Sequence, residues 1–130
     1  MRLFACLLVL MLCAPTMSSR ASEAQDYLYE RDIKVPAYQT MREFFDMPNR
    51  PGNYEVSLFS DSIGPLTLRV LRVKGPHEHI ISKTRSYHVG SHSFQQVFDN
   101  PRGVDDLIVE ISNSNPASAA IITIYVVELP

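Results

Sequence analysis

YEVSLFSDSIGPLTLRVLRVK, residues 54–74, is the stretch that decides the fold. Tyr54, Val56 and Leu58 alternate with Glu55, Ser57 and Phe59, a period of two that puts one set on each face of a strand. Asp61 to Pro65 breaks the run with turn residues. Leu66, Leu68 and Val70 then alternate with Thr67 and Arg69, which predicts a second half-buried strand. From Leu71 to Lys74 the parity inverts, with Leu71 and Val73 in the polar places and Arg72 and Lys74 in the apolar ones. A bulge or a change of sheet would produce that inversion. Two alternating strands joined by a short polar loop are the repeating unit of an antiparallel β-sandwich.

The rest of the chain repeats the pattern. Downstream, Gly75-Pro76 closes the segment, His79 to Ser82 and Thr84 to Val89 read as two strands, and Gly90-Ser91 is a turn. Phe94, Gln96 and Phe98 share one face of the next strand, and Asp99 to Gly103 is a turn. Leu107, Val109 and Ile111 share a face of another strand. Ala120 to Leu129 is apolar on both parities, which predicts a central strand covered on both faces. Upstream, Ile33, Val35 and Ala37 alternate with Asp32, Lys34 and Pro36, and the proline places that strand at an edge. Met41, Phe44 and Phe45 have the i, i+3, i+4 spacing of one short helical turn near residues 40–46. The sum is an all-β chain, an antiparallel, jelly-roll-like β-sandwich of about seven or eight strands. Gly52-x-Tyr54-x-Val56 resembles strand openings of jelly-roll and carbohydrate-binding-type sandwiches. Five residues imply nothing about function.

The amino terminus reads as an export signal. Met1-Arg2 is followed by the apolar run Leu3 to Cys13 and then by small residues up to Ala21 and Ala24. Residues 1–24 are expected to be a signal peptide cut after Ala21 or Ala24, leaving residues 25–130 as a single β-sandwich domain. The expected location is secreted and extracellular, or periplasmic in a bacterium, with no transmembrane segment in the mature chain. Cys6 and Cys13 are the only cysteines, so the mature domain would be disulfide-free. It also lacks an N-x-[ST] acceptor for N-linked sugar. The chain has a formal charge of −2, and losing Arg2, Arg20 and Glu23 makes it one unit more negative. Total charge therefore points to neither nucleic acid nor an anionic membrane.

Three residue sets carry possible chemistry. Arg69, Arg72, Lys74, Lys83 and Arg85 concentrate positive charge centrally, with Tyr87 beside them, where they would receive an anionic glycan or an acidic partner. His77, His79 and His88 form a candidate metal set: an H-x-H pair on one strand face, with a third ligand from a neighbour, suits Zn²⁺. The pair is similar to that of cupins, but Lys83 and Thr84 stand where the glutamate of that pattern belongs. Asp99, Asn100, Asp105 and Asp106 cluster hard oxygen atoms in one loop that would suit Ca²⁺. No cofactor is required by any of these sets. No nucleophile elbow is present, although Ser86, Ser91 and Ser93 lie near His88 and His92. Tyr27 and Tyr29 share a parity and are expected on one exposed face.

The leading expectation is a secreted, non-enzymatic β-sandwich binding or interaction module with a protein, glycan or lipid-surface ligand. Two other readings stand beside it. One is a small metal-binding protein or metalloenzyme using the histidines. The other is a self-assembling structural protein using the uncharged run Ala119 to Val127.

Overall fold

The structure, a computed structural model, describes residues 27–130. The expected signal peptide, its cleavage points and both cysteines lie outside the described residues. Eight strands follow the alternation of the sequence: β1 (Tyr27–Val35), β2 (Thr40–Phe45), β3 (Gly52–Ser60), β4 (Leu66–Lys74), β5 (His77–Ser86), β6 (His92–Asn100), β7 (Asp106–Asn113) and β8 (Ala120–Glu128). They form two four-stranded antiparallel sheets, β1-β8-β3-β6 (sheet A) and β2-β7-β4-β5 (sheet B). The first strand pairs with the last, β2 with β7, β3 with β6, and β4 with β5. Only the β4–β5 hairpin stays within one sheet; every other connection crosses between layers. This is the jelly-roll arrangement.

The predicted inward set forms the core. Tyr54, Val56 and Leu58 from β3 meet Leu66, Leu68 and Val70 from β4 and Leu107, Val109 and Ile111 from β7. Phe45, Phe94, Phe98, Ile122, Ile124 and Val126 complete it. Each fully buried Val, Leu, Ile or Phe contributes about 1.5–3 kcal/mol relative to exposure. Packing and sheet hydrogen bonds therefore hold this domain, since residues 27–130 contain no cysteine.

Four local expectations change. Residues 40–45 form a strand rather than a helical turn, because β2 pairs with β7 from Thr40↔Ser112 to Phe45↔Leu107. Met41 and Phe45 turn toward the core on one parity, and Phe44 is left outside on the other. A 3–4 spacing of three apolar residues does not separate helix from strand once one of them faces solvent. Residues 77–86 form one strand, not two. The inversion after Val70 coincides with a bulge, as the pattern predicts, but the extra residue belongs to β5: Val70 faces Ser82 and Leu71 faces Ile80, so Ile81 has no partner. Against β7, β4 runs without a break, so its end is inside out, with Leu71 and Val73 on the outer face beside Ile108. Finally, β8 is central in sheet A but its outer face is largely uncovered: Ile122 and Ile124 are buried, while on the other parity Ile121 is 58% exposed and Val127 alone is buried.

Turn chemistry fixes the ends. Gly75 (φ 58°) turns the β4–β5 hairpin in a region that side chains rarely adopt. Gly103 (φ 68°) lies so close to Arg50 that a Cβ would approach its carbonyl carbon to 2.4 Å. At the opposite end the buried Asn113 amide donates to the carbonyls of Val35, Pro36 and Ser118, and its oxygen accepts from the Asn115 N–H. It thereby joins the end of β1 to the β7–β8 loop.

Candidate functional site

The central basic residues do not form one surface. Arg69 lies on the outer face of sheet B and pairs with Glu110 at 2.6 Å, while Glu110 also takes Arg42, which pairs in turn with Glu78. Arg72, on the opposite parity, lies over the Phe98 ring at 5.3 Å, pairs with Asp105 at 3.5 Å and donates to the Asp99 carbonyl. Its guanidinium closes one end of the sandwich. Lys74 is exposed at the hairpin beside it. Only Arg85 and Tyr87 meet, with the guanidinium 5.2 Å from the ring centroid near the other end of the molecule.

The histidines separate in the same way. His77 and His79 begin β5, and His88 lies beyond its far end. Among the described residues no group of three His, Cys, Asp or Glu side chains is placed to hold a metal ion. His92, outside the predicted set, is the buried one. Its Nε2 lies 3.0 Å from the Ser62 carbonyl and its Nδ1 2.7 Å from the Ser86 hydroxyl. A carbonyl only accepts, so Nε2 carries a proton, and in the neutral ring Nδ1 accepts from Ser86. The ring thus ties β5 and β6 to the β3–β4 loop. The acidic loop is likewise engaged: the Asn100 amide bonds both backbone groups of Asp105, and Asp106 accepts from the Met47 N–H at 2.8 Å.

Aromatic side chains gather on the outer face of sheet A. Tyr27 and Tyr125 have ring centroids 5.3 Å apart, and Tyr125 and Phe59 are 5.9 Å apart. The three rings cross β1, β8 and β3 as one strip. Beside it the Thr123 hydroxyl donates to Asp32 at 2.7 Å. The strip runs into a cleft of about 390 Å³ lined by Phe59, Asp61, Ile63, Ser118, Ile121 and Thr123, among others. Ser60 orders its wall by donating to the Ile121 carbonyl at 2.8 Å. Apolar rings thus stand next to hydroxyls and a carboxylate on one face.

Part of this site was hidden in the sequence. Tyr27 and Tyr29 do not share a face. β1 bulges between them, so Tyr27 joins Tyr125 outside while Tyr29 turns in against Phe45 at 5.1 Å and donates to the Asp46 carbonyl. Phe59, Ile121 and Tyr125 stand on the solvent parity of their strands, and that misplacement is the signal that marks an outward apolar face.

No protein-family model matches the chain, and no curated protein matches it. Solved structures do share its fold. A Yersinia pseudotuberculosis-derived mitogen is 13% identical, with a TM-score of 0.60 over 79% of this chain and 86% of that one. A protein of the cowpea mosaic virus empty particle is 12% identical, with a TM-score of 0.59 over 82% and 85%. A CBM4 carbohydrate-binding module is 13% identical, with a TM-score of 0.50 over 80% and 76%. These likenesses establish the jelly-roll sandwich. Among the described residues no helix is long and apolar enough to cross a membrane.

Proposed function

We propose that this chain is an exported, non-enzymatic interaction module that binds a glycan on the outer face of sheet A. The observation that carries the reading is the strip Tyr27–Tyr125–Phe59 leading into a cleft lined with hydroxyls. Ring stacking supplies area that tolerates a repeating ligand, while Asp61, Ser118 and Thr123 supply direction. The export half of the reading rests on the leader pattern of residues 1–24. The predicted basic set contributes Arg85 and Tyr87 at most, because Arg69 and Arg72 already have acidic partners.

Calorimetry with soluble oligosaccharides tests the proposal on purified residues 25–130. Tyr125→Ala and Phe59→Ala should each weaken binding about 3- to 10-fold, the equivalent of roughly 0.5–1.5 kcal/mol per stacked ring. Phe59 and Tyr125 are partly exposed, so both variants should keep the parent melting temperature within a few degrees. Failure to retain any glycan from a broad array, or unchanged affinity in the double variant, would refute the reading.

A further inference from the structure

The strands β1, β3, β5 and β7 all run toward one end of the sandwich, so four loops lie there together: 36–39, 61–65, 87–91 and 114–119. That end is built differently from the other. Tyr38, Ile63, Tyr87 and Val89 are 73%, 62%, 70% and 76% exposed, and three of the four loops carry at least one of them. The fourth loop adds exposed Pro116 and Ala117. Asp61 is the single carboxylate in all four loops. At the opposite end the loops carry exposed Asp46, Arg50 and Arg102, Met47 is buried, and Val104 is the one large apolar residue left exposed there.

The tips are held in place. The Tyr38 N–H donates to the Asn115 carbonyl at 3.1 Å, Ser114 N–H to Pro65 at 3.1 Å, and Gly90 N–H to Ser62 at 2.9 Å. His92 adds its own bond to Ser62. A chain of bonds therefore links all four loops into one platform. Tyr38 has φ 60°, a left-handed conformation that costs a residue with a side chain roughly 1–2 kcal/mol. Glycine or asparagine would avoid most of that strain. A tyrosine kept there and turned to solvent offers its ring to something outside the chain.

Charge indicates what that is. Lys34 flanks the platform on β1, and Lys83 and Arg85 flank it on β5. All three are exposed, and among the described residues none makes an ion pair. The chain is acidic in sum, yet the fold sets unpaired cations around these tips. Separate apolar tips with Gln39, Ser62, Ser91 and Ser114 between them do not make the contiguous buried centre of a protein interface. They suit a fluid, layered partner: apolar side chains enter the acyl boundary, tyrosines sit at the headgroups, and cations meet lipid phosphates. We propose that this loop end is a second contact surface, separate from the aromatic strip although it meets the cleft at Ile63, which seats Tyr38, Ile63, Tyr87 and Val89 in the interface of an anionic lipid bilayer.

Flotation of purified residues 25–130 with vesicles of phosphatidylcholine and phosphatidylserine tests this. The parent should float with the vesicles. Tyr87→Ser combined with Val89→Ser should lower the partition coefficient at least roughly tenfold, as expected when two partly buried apolar groups are lost. Tyr38→Gly removes a ring and relieves the strained backbone, so it should weaken flotation while keeping or raising the melting temperature. Lys83→Glu with Arg85→Glu should weaken flotation on anionic vesicles more than on phosphatidylcholine alone. Phe59→Ala should float like the parent, which separates this surface from the glycan strip. A parent that stays in solution overturns the proposal, as does flotation unaffected by the tip substitutions or flotation abolished by added salt alone.

Discussion

At Tyr54 the fold buries a phenol without giving its hydroxyl a partner. Burial pushes its pKa above the ordinary 10.0, the Glu128 carboxylate pushes the same way, and Arg50 opposes them. The unfolded phenol ionises more readily than the folded one. Its contribution to stability is therefore full below pH 10 and is lost as the pH climbs through the raised value. Tyr54→Phe removes both the titrating group and an unsatisfied hydroxyl. We expect its stability at neutral pH to stay within about 1 kcal/mol of the parent or to rise. Its decline above pH 10 should be shallower, as measured by denaturant unfolding across that range. An equal decline in both proteins would show that another group governs the alkaline limit. The inward direction of Tyr54 was legible from its parity with Val56 and Leu58. Its missing partner was not, because that depends on Glu128 and Arg50, which pair with each other at 2.6 Å from opposite parts of the chain.

β8 shows what an element's composition does and does not say. Its uninterrupted apolar run predicts a strand covered on both faces, yet Ile121 and Ile124 meet different surroundings. Ile124→Ala should cost about 2–5 kcal/mol, because the vacated space lies between the sheets. Ile121→Thr should stay within about 0.5 kcal/mol of the parent. Thermal melts of the pair distinguish one covered face from two; comparable losses would mean that something packs on the outside of sheet A in solution. The extra hydrophobicity of β8 thus belongs to the strip and the cleft rather than to the core. β1 gives the complementary lesson. Parity placed Tyr27 and Tyr29 together, and a single unpaired residue at Leu28 separates them. A bulge answers to the register of the partner strand, which no local window contains. β2 departs from its helical spacing for a related reason: six residues carry too few apolar positions to fix a period, and pairing with β7 decides.

Across the whole molecule the nested pairing sets the folding problem. β1 must find β8 across nearly the full length of the described chain, and β2 must find β7 across residues 46–105. Such topology makes loop closure costly before most contacts form, so refolding from denaturant should take milliseconds to seconds rather than microseconds. Stopped-flow fluorescence of the tyrosines checks this, and a microsecond phase carrying the full amplitude would contradict it. The same nesting explains which parts of the site were readable. His77, His79 and His88 are close in sequence, but the first two open the ten-residue strand β5 and the third lies beyond its far end. Arg69 and Arg72 look like one basic patch, but neighbouring parities send them to opposite faces, each to its own acid. By itself the sequence determined β3, β4, β6 and β7 with the inward faces of their main runs, a core made without disulfides and most of the turns between strands. These follow from side-chain period and backbone chemistry, which act over a few residues. Only the tertiary structure decided which strands are neighbours, where β1 and β5 bulge, and that Tyr27, Phe59 and Tyr125 meet on one face while Tyr38, Ile63, Tyr87 and Val89 share one end. Those outcomes depend on register between distant segments, and burying one common core sets that register.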